Sequence, residues 1–228
     1  MGRKIRLSGK KNPRLLFLLT ASSDSKGYFA DVSRHFGDRL GCEVSALYLL
    51  KNKYSQKQIE KIILSADIIY VGGGNTLKMM TAWRKYGVDK ILHKAWKKGV
   101  IISGVSAGSI CWFKYGNSDS RKFKNKDAGM IKVSGLGFIN ALHCPHYNIE
   151  PGRKESLKKI MKKTQGIAIA LDNCCALEIV DDKYRIITSR KNAKAYKVYW
   201  RGDCFYELPI KEINEFQDIS ELLRKNIK

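Results

Sequence analysis

The sequence predicts an α/β fold: a three-layer α/β/α sandwich with a mostly parallel central sheet and antiparallel hairpins in the C-terminal third. Three observations predict it. Through the first half, short apolar runs alternate with stretches of helical periodicity, the pattern of a parallel sheet covered by helices. In the last third, short runs rich in β-branched and aromatic residues follow one another with turn residues between them, which reads as hairpins. The chain has 228 residues and is 44% hydrophobic, enough for a sizeable core, and no linker, repeat or low-complexity stretch interrupts it, so residues 1–228 are expected to form a single domain.

The first strand is expected at residues 15–20. Basic residues precede Leu15-Leu16-Phe17-Leu18-Leu19, but this apolar core is shorter than the roughly 7 to 15 residues of a secretory signal. A helix follows around residues 27–40, then a strand at 43–49. Residues 56–65 place Ile59, Ile62 and Ile63 on one helical face. Next come a strand at 68–71, helices across 76–98 and a strand at 100–103, with a helix after Ser106. Residues 117–128 are polar and basic and read as a surface loop. Strands are expected at 135–143 and 167–171, then hairpin strands at 176–180, 184–188, 195–200 and 204–208. A closing helix would carry Ile213, Phe216, Ile219, Leu222 and Leu223 on one side.

The formal net charge is +22. Such a balance raises the question of nucleic acid, but Lys90, Lys94, Lys97 and Lys98, or Lys158, Lys159, Lys162 and Lys163, fit the solvent faces of helices, and no recognition motif accompanies them. A nucleic-acid partner is therefore not expected. The cysteines (Cys42, Cys111, Cys144, Cys174, Cys175 and Cys204) form no CxxC pair and suit reduced thiols in a cytosol. His143, Cys144 and His146 lack a second ligand pair nearby, so no metal is expected. No stretch reaches the roughly 18 apolar residues of a membrane span, and a soluble, cytoplasmic protein is expected.

Three segments carry chemistry. Gly104-Val105-Ser106-Ala107-Gly108 follows a buried strand and precedes a helix, a context in which a serine hydroxyl projects above the sheet edge beside the next backbone N–H. A plain strand-to-helix turn shares this pattern. Val71-Gly72-Gly73-Gly74-Asn75-Thr76 lies in the same context, and its glycines would let amides approach a developing oxyanion. It lacks the Lys-Ser/Thr of a phosphate loop and the spacing of GxGxxG. A glycine turn for packing alone also fits. The third segment is Leu142-His143-Cys144-Pro145-His146-Tyr147-Asn148. Serine needs a base near neutral pH, and His146 follows a proline that ends the strand, whereas His35 and His93 sit in helical patterns.

In this order, Gly72-Gly73-Gly74-Asn75-Thr76, Gly104-Val105-Ser106-Ala107-Gly108 and Pro145-His146-Tyr147 make the chain resemble the dipeptidase E and cyanophycinase family of serine peptidases over roughly residues 14 to 190. The resemblance implies a fold related to class I glutamine amidotransferases and hydrolysis of peptide bonds next to aspartate. It makes Ser106 the nucleophile and His146 the general base. Gly73, Gly74 and the amide of Ala107 would form the oxyanion hole, with Asn75 and Thr76 lining the substrate pocket. No cofactor is implied. The third triad member stays open. Relatives carry Gly-x-Asp-Glu after the next strand, where this chain reads Ala170-Leu171-Asp172-Asn173, so Asp172, Asp119 and a neutral Asn173 all remain candidates. Arg153 could pair with a substrate aspartate.

The expected substrate is a small, acidic peptide, and assembly into homo-oligomers is left open. A rival reading, prompted by Asn173, is a binding protein that keeps the pocket for an acidic ligand without turning it over.

Overall fold

The computed structural model describes residues 2–212 and 215–225. The chain folds into two compact units, Met1–Ser109 and Ile110–Lys228. Its class is the α/β one expected, with parallel strands among helices and antiparallel strands in the C-terminal third.

The first unit begins with a short helix α1 (Arg3–Ser8), followed by β1 (Arg14–Leu18), α2 (Lys26–Ser33), β2 (Glu43–Leu47), α3 (Gln56–Leu64), β3 (Ile68–Val71), α4 (Thr76–Tyr86), α5 (Val88–Lys97) and β4 (Ile101–Gly104). Its strands pair in the order β2-β1-β3-β4, all parallel. Successive residues of β1 point to opposite faces. Leu15 and Phe17 pack with Val32 of α2 and with Phe36 just past its end, and Leu16 and Leu18 are equally buried, so both faces of the sheet are covered. Local chemistry sets the helix ends. Ser25 caps α2 by accepting the Tyr28 N–H, Ser55 and Gln58 form a reciprocal capping box on α3, and Asn75 caps α4. A one-turn helix α6 (Ala107–Ile110) follows β4, where a helix was expected after Ser106.

The second unit contains β5 (Phe113–Ser118), β6 (Ile131–Ser134), β7 (Ile139–Cys144), α7 (Arg153–Lys162), β8 (Ala168–Leu171), β9 (Cys175–Val180), β10 (Lys183–Thr188), β11 (Ala195–Arg201), β12 (Cys204–Ile210), β13 (Gln217–Asp218) and α8 (Ile219–Leu223). One sheet has the order β12-β11-β8-β7-β5-β6, with β5, β7 and β8 parallel and β6, β11 and β12 antiparallel to their neighbours. The other is β13-β10-β9. Leu142, Cys144, Leu157, Met161, Ala168 and Val198 make a core that buries one side of α7. The hairpins fall where the turn residues place them.

Two expectations are corrected here. Residues 117–120 are not a surface loop: Asn117 and Ser118 end β5 and are buried, as is Ser120. Their polar groups are matched inside, Asn117 Nδ2 donating to the Arg153 carbonyl and the Ser118 and Ser120 hydroxyls lying 2.7 Å apart, and paired polar groups tolerate burial. The closing helix is also shorter than expected. Phe216 precedes it, against the Arg185 guanidinium, and Ile213 lies outside the described residues.

Candidate active site

In the first unit the chain leaves β4 at Gly104, and the Val105 N–H donates to the Val71 carbonyl at 3.2 Å. Ser106 then takes a left-handed conformation, φ +54°, which is uncommon for a residue with a Cβ and concentrates at functional turns. The flanking glycines are required by close approach. A Cβ on Gly104 would stand 2.1 Å from the Gly108 carbonyl oxygen, and one on Gly108 would stand 2.1 Å from the Val71 carbonyl oxygen. The helix start is thus pressed onto the sheet end, and the half-buried Ser106 occupies the corner. As the first residue of α6, Ala107 presents an N–H that no carbonyl of that short helix can accept.

The glycine turn adjoins this corner. A Cβ on Gly73 would lie 3.4 Å from Ser106 Cβ and 3.9 Å from Ser106 Oγ. Gly74 has φ +136°, and a Cβ there would stand 2.3 Å from the Ala21 carbonyl oxygen, so only glycine passes. Asn75 accepts the Lys78 N–H at 3.0 Å through its side-chain oxygen, as a helix cap does. Thr76 is buried in the first turn of α4, so it is not presented to a ligand as expected. The Gly73 N–H donates to Tyr28 Oη at 3.3 Å. Tyr28 escaped sequence reasoning, since nothing marks a tyrosine in the first turn of an amphipathic helix as part of a glycine turn 45 residues later.

In the second unit, β7 and β8 run parallel and end at the same edge. His143 is inside: its Nδ1–H donates to the Ile169 carbonyl at 3.0 Å, its ring stacks on Phe113, and burial pulls it down to about 4, so it stays neutral. His146 lies past the strand end, half-buried, with φ +56°. Its Nδ1 is 2.6 Å from Asn173 Oδ1. An amide oxygen can only accept, so Nδ1 carries a proton, and in the neutral imidazole this tautomer leaves the lone pair on Nε2. The Tyr147 N–H donates to the Leu171 carbonyl and the Asn173 N–H to Asn148 Oδ1, which tie the two loops together.

Asp172 is not the group against His146. It is 6% exposed; its Oδ2 accepts the Lys194 N–H at 3.0 Å, its own N–H donates to the Lys194 carbonyl, and burial raises its carboxyl above the usual range. Neighbouring side chains on an extended segment diverge, which sends Asp172 inward and Asn173 to the imidazole. Asp119 precedes the 3₁₀ turn Ser120–Phe123 and lies near the guanidinium of Arg153, whose charged form it favours. Arg153 is also reassigned. It is 2% exposed, donates to the Asn117 carbonyl at 2.7 Å and pairs with Glu150, so its fork is committed within the unit and the role of pairing with a substrate carboxylate does not carry forward.

Among the described residues, no cluster of three or more His, Cys, Asp or Glu could hold a metal ion, and no helix is long and apolar enough to cross a membrane.

A serine turn beside a glycine turn on an α/β scaffold is an arrangement that hydrolases use, and two solved structures share the fold. A crystal structure of a peptidase from an acI-B1 Actinobacterium matches with a TM-score of 0.71 at 20% identity, covering 95% of this chain and 88% of that one. A putative peptidase E protein from Listeria monocytogenes EGD-e matches with a TM-score of 0.62 at 20% identity, covering 81% and 91%. In sequence, the chain is 36% identical over 206 residues to the uncharacterized peptidase YgaJ of Bacillus subtilis (strain 168), covering 89% of this chain and 85% of the relative. It is 25% identical over 169 residues to peptidase E of Streptomyces coelicolor, covering 69% and 63%. Residues 4–187 match peptidase family S51, and the chain belongs to that family. It is a peptidase.

Proposed function

We propose that the chain is a serine peptidase that hydrolyses small peptides next to aspartate through an acyl-enzyme. The observation that carries this reading is Ser106, held at φ +54° between two glycines whose Cβ positions are filled by backbone. Ser106 Oγ attacks the scissile carbonyl while His146 Nε2 takes its proton. The Ala107 amide and the glycine turn of Gly73 and Gly74 receive the oxyanion. His146 then hands the proton to the leaving amine, and water, deprotonated in turn by His146, releases the acid. Asn173 keeps the imidazole in the tautomer this needs. The net charge of +22 supports an acidic substrate by drawing anions to the surface. Cytosolic location and an acidic peptide partner follow from the same reading.

A dipeptide library, with aspartyl dipeptides included, tests it on the purified protein and on Ser106→Ala. The expected result is turnover of aspartyl dipeptides that Ser106→Ala lacks. Turnover spread evenly over neutral and basic dipeptides would overturn the aspartate preference, and turnover by Ser106→Ala would overturn the serine mechanism.

A further inference from the structure

The strand order of the first unit marks where a ligand meets it. The chain goes from β1 outward to β2 and returns past β1 to β3, so the order reverses between β1 and β3. In open parallel sheets, ligands sit outside the carboxyl ends of the strands at such a point. The strands there end level: Leu18 stands beside Val71, and Val71 beside Gly104. Past these ends lie residues 20–24 after β1, the glycine turn after β3 and Ser106 after β4, all in the first unit. With strands about 4.8 Å apart, the loop after β1 rises roughly 10 Å from the serine corner, and the glycine turn stands between them.

That loop is fixed by its contacts. The Asn75 N–H donates to the Ala21 carbonyl at 2.9 Å, and a Cβ on Gly74 would stand 2.9 Å from the Ser22 nitrogen, so the glycine turn rests on the loop. Ser23 and Asp24 both have left-handed backbones, φ +60° and +56°, a costly pair for residues with a Cβ. Asp24 secures them. It is fully buried, and its Oδ2 accepts the Leu50 N–H at 2.6 Å and the Lys51 N–H at 3.1 Å. The Ser23 hydroxyl is thereby set, and it accepts a hydrogen bond from Lys78 Nζ at 2.7 Å. Lys78 reaches it from the first turn of α4, where its backbone N–H donates to Asn75 Oδ1.

The commitments of Lys78 differ from those of Arg153. Lys78 is exposed, and among the described residues no carboxylate pairs with it. An ammonium has three protons to donate, and Ser23 accepts one of them. We propose that Lys78, held by Ser23, receives the side-chain carboxylate of an aspartate on the acyl side of the scissile bond and so sets the acidic preference. This rests on the reading of Ser106 as nucleophile and of aspartyl peptides as substrates. The span fits. The attacking oxygen stands about 3 Å from the scissile carbon. Three bonds lead from that carbon to the aspartate carboxyl carbon, about 4 Å away when extended. A charge-assisted bond to the ammonium adds about 3 Å, and the total matches the roughly two strand spacings between the corner and the loop.

The test measures kcat/KM of the wild type, Lys78→Met, Ser23→Gly and Ser106→Ala on aspartyl-leucine, asparaginyl-leucine and aspartyl-leucine amide. The wild type should prefer aspartyl-leucine to asparaginyl-leucine. Lys78→Met keeps the stem and removes the charge. It should lower kcat/KM on both aspartyl substrates about 10- to 150-fold, the range for a hydrogen bond to a charged group, and shift asparaginyl-leucine less than about threefold. Ser23→Gly removes the hydroxyl and suits the left-handed backbone, so the melting temperature should hold while the preference narrows about 2- to 13-fold, the range for one ordinary hydrogen bond. A folded Lys78→Met with the wild-type preference overturns the proposal. So does an equal loss on aspartyl-leucine and asparaginyl-leucine, which would make Lys78 a brace for the loop, and so does a loss that the amide escapes, which would give the ammonium to the terminal carboxylate. A wild type without the preference would instead sink the aspartate reading, and hydrolysis by Ser106→Ala would sink the serine reading.

Discussion

Replacing Asn173 by aspartate should make this peptidase faster. The wild-type imidazole donates its Nδ1–H to a neutral amide oxygen at 2.6 Å, which fixes the tautomer but, on the proposed mechanism, would do little for the positive charge His146 gains in taking the serine proton. A carboxylate there would stand about 4 Å from the imidazolium centre. That interaction is worth about 1 kcal/mol at the dielectric of water and about 4 at the effective value near a protein surface. Asn173 is half-buried, between these limits. At one factor of ten per 1.4 kcal/mol, Asn173→Asp should raise kcat roughly 5- to 1,000-fold on the alkaline plateau of its pH profile. Asn173→Leu removes a neutral hydrogen bond worth about 0.5–1.5 kcal/mol and should slow turnover roughly 2- to 13-fold, because water can reach a half-buried ring. Stopped-flow or steady-state rates across pH 5 to 10 on one dipeptide decide the matter. Asn173→Leu at the wild-type rate, or Asn173→Asp slower at every pH, would refute the reasoning.

Arg153 and Asp24 give two further expectations. Arg153→Met should destabilise the fold by about 1–3 kcal/mol, the cost of leaving the buried Asn117 carbonyl without its donor, with KM for aspartyl dipeptides unmoved; urea unfolding and kinetics separate the two, and a raised KM at full stability would return Arg153 to the substrate. Asp24 is fully buried, with Oδ2 accepting the Leu50 and Lys51 N–H groups, and burial raises its carboxyl above its unfolded value. The folded state then binds the proton more tightly, so this group's contribution to stability is present below the unfolded pKa and is lost as pH rises through the folded one. Asp24→Asn should flatten that part of the curve of melting temperature against pH, and an unchanged slope would contradict the assignment.

The elements that were legible in the sequence are those fixed by neighbours in the chain. The glycines at 104 and 108 mark a corner because the serine turn and the helix after it need backbone contact at both. The hairpins β9-β10 and β11-β12 follow from alternation and the turn residues between them. The less legible features depend on partners distant in sequence. Asn117 looks like a loop residue until Arg153, 36 positions on, supplies a buried partner. Asp172 and Asn173 differ by one step along an extended segment, and only the position of Lys194 decides which of them turns inward. Tyr28 belongs to the glycine turn through a contact that no local pattern encodes.

The central claim is that Ser106 is a poised nucleophile, and covalent labelling by a fluorophosphonate tests it most directly. Mass spectrometry of the digested protein should find the adduct on Ser106 alone, absent from Ser106→Ala and formed much more slowly in His146→Ala, since a base is needed to draw the serine proton. An unlabelled Ser106 in a protein that hydrolyses dipeptides, or labelling at the same rate without His146, would contradict the account.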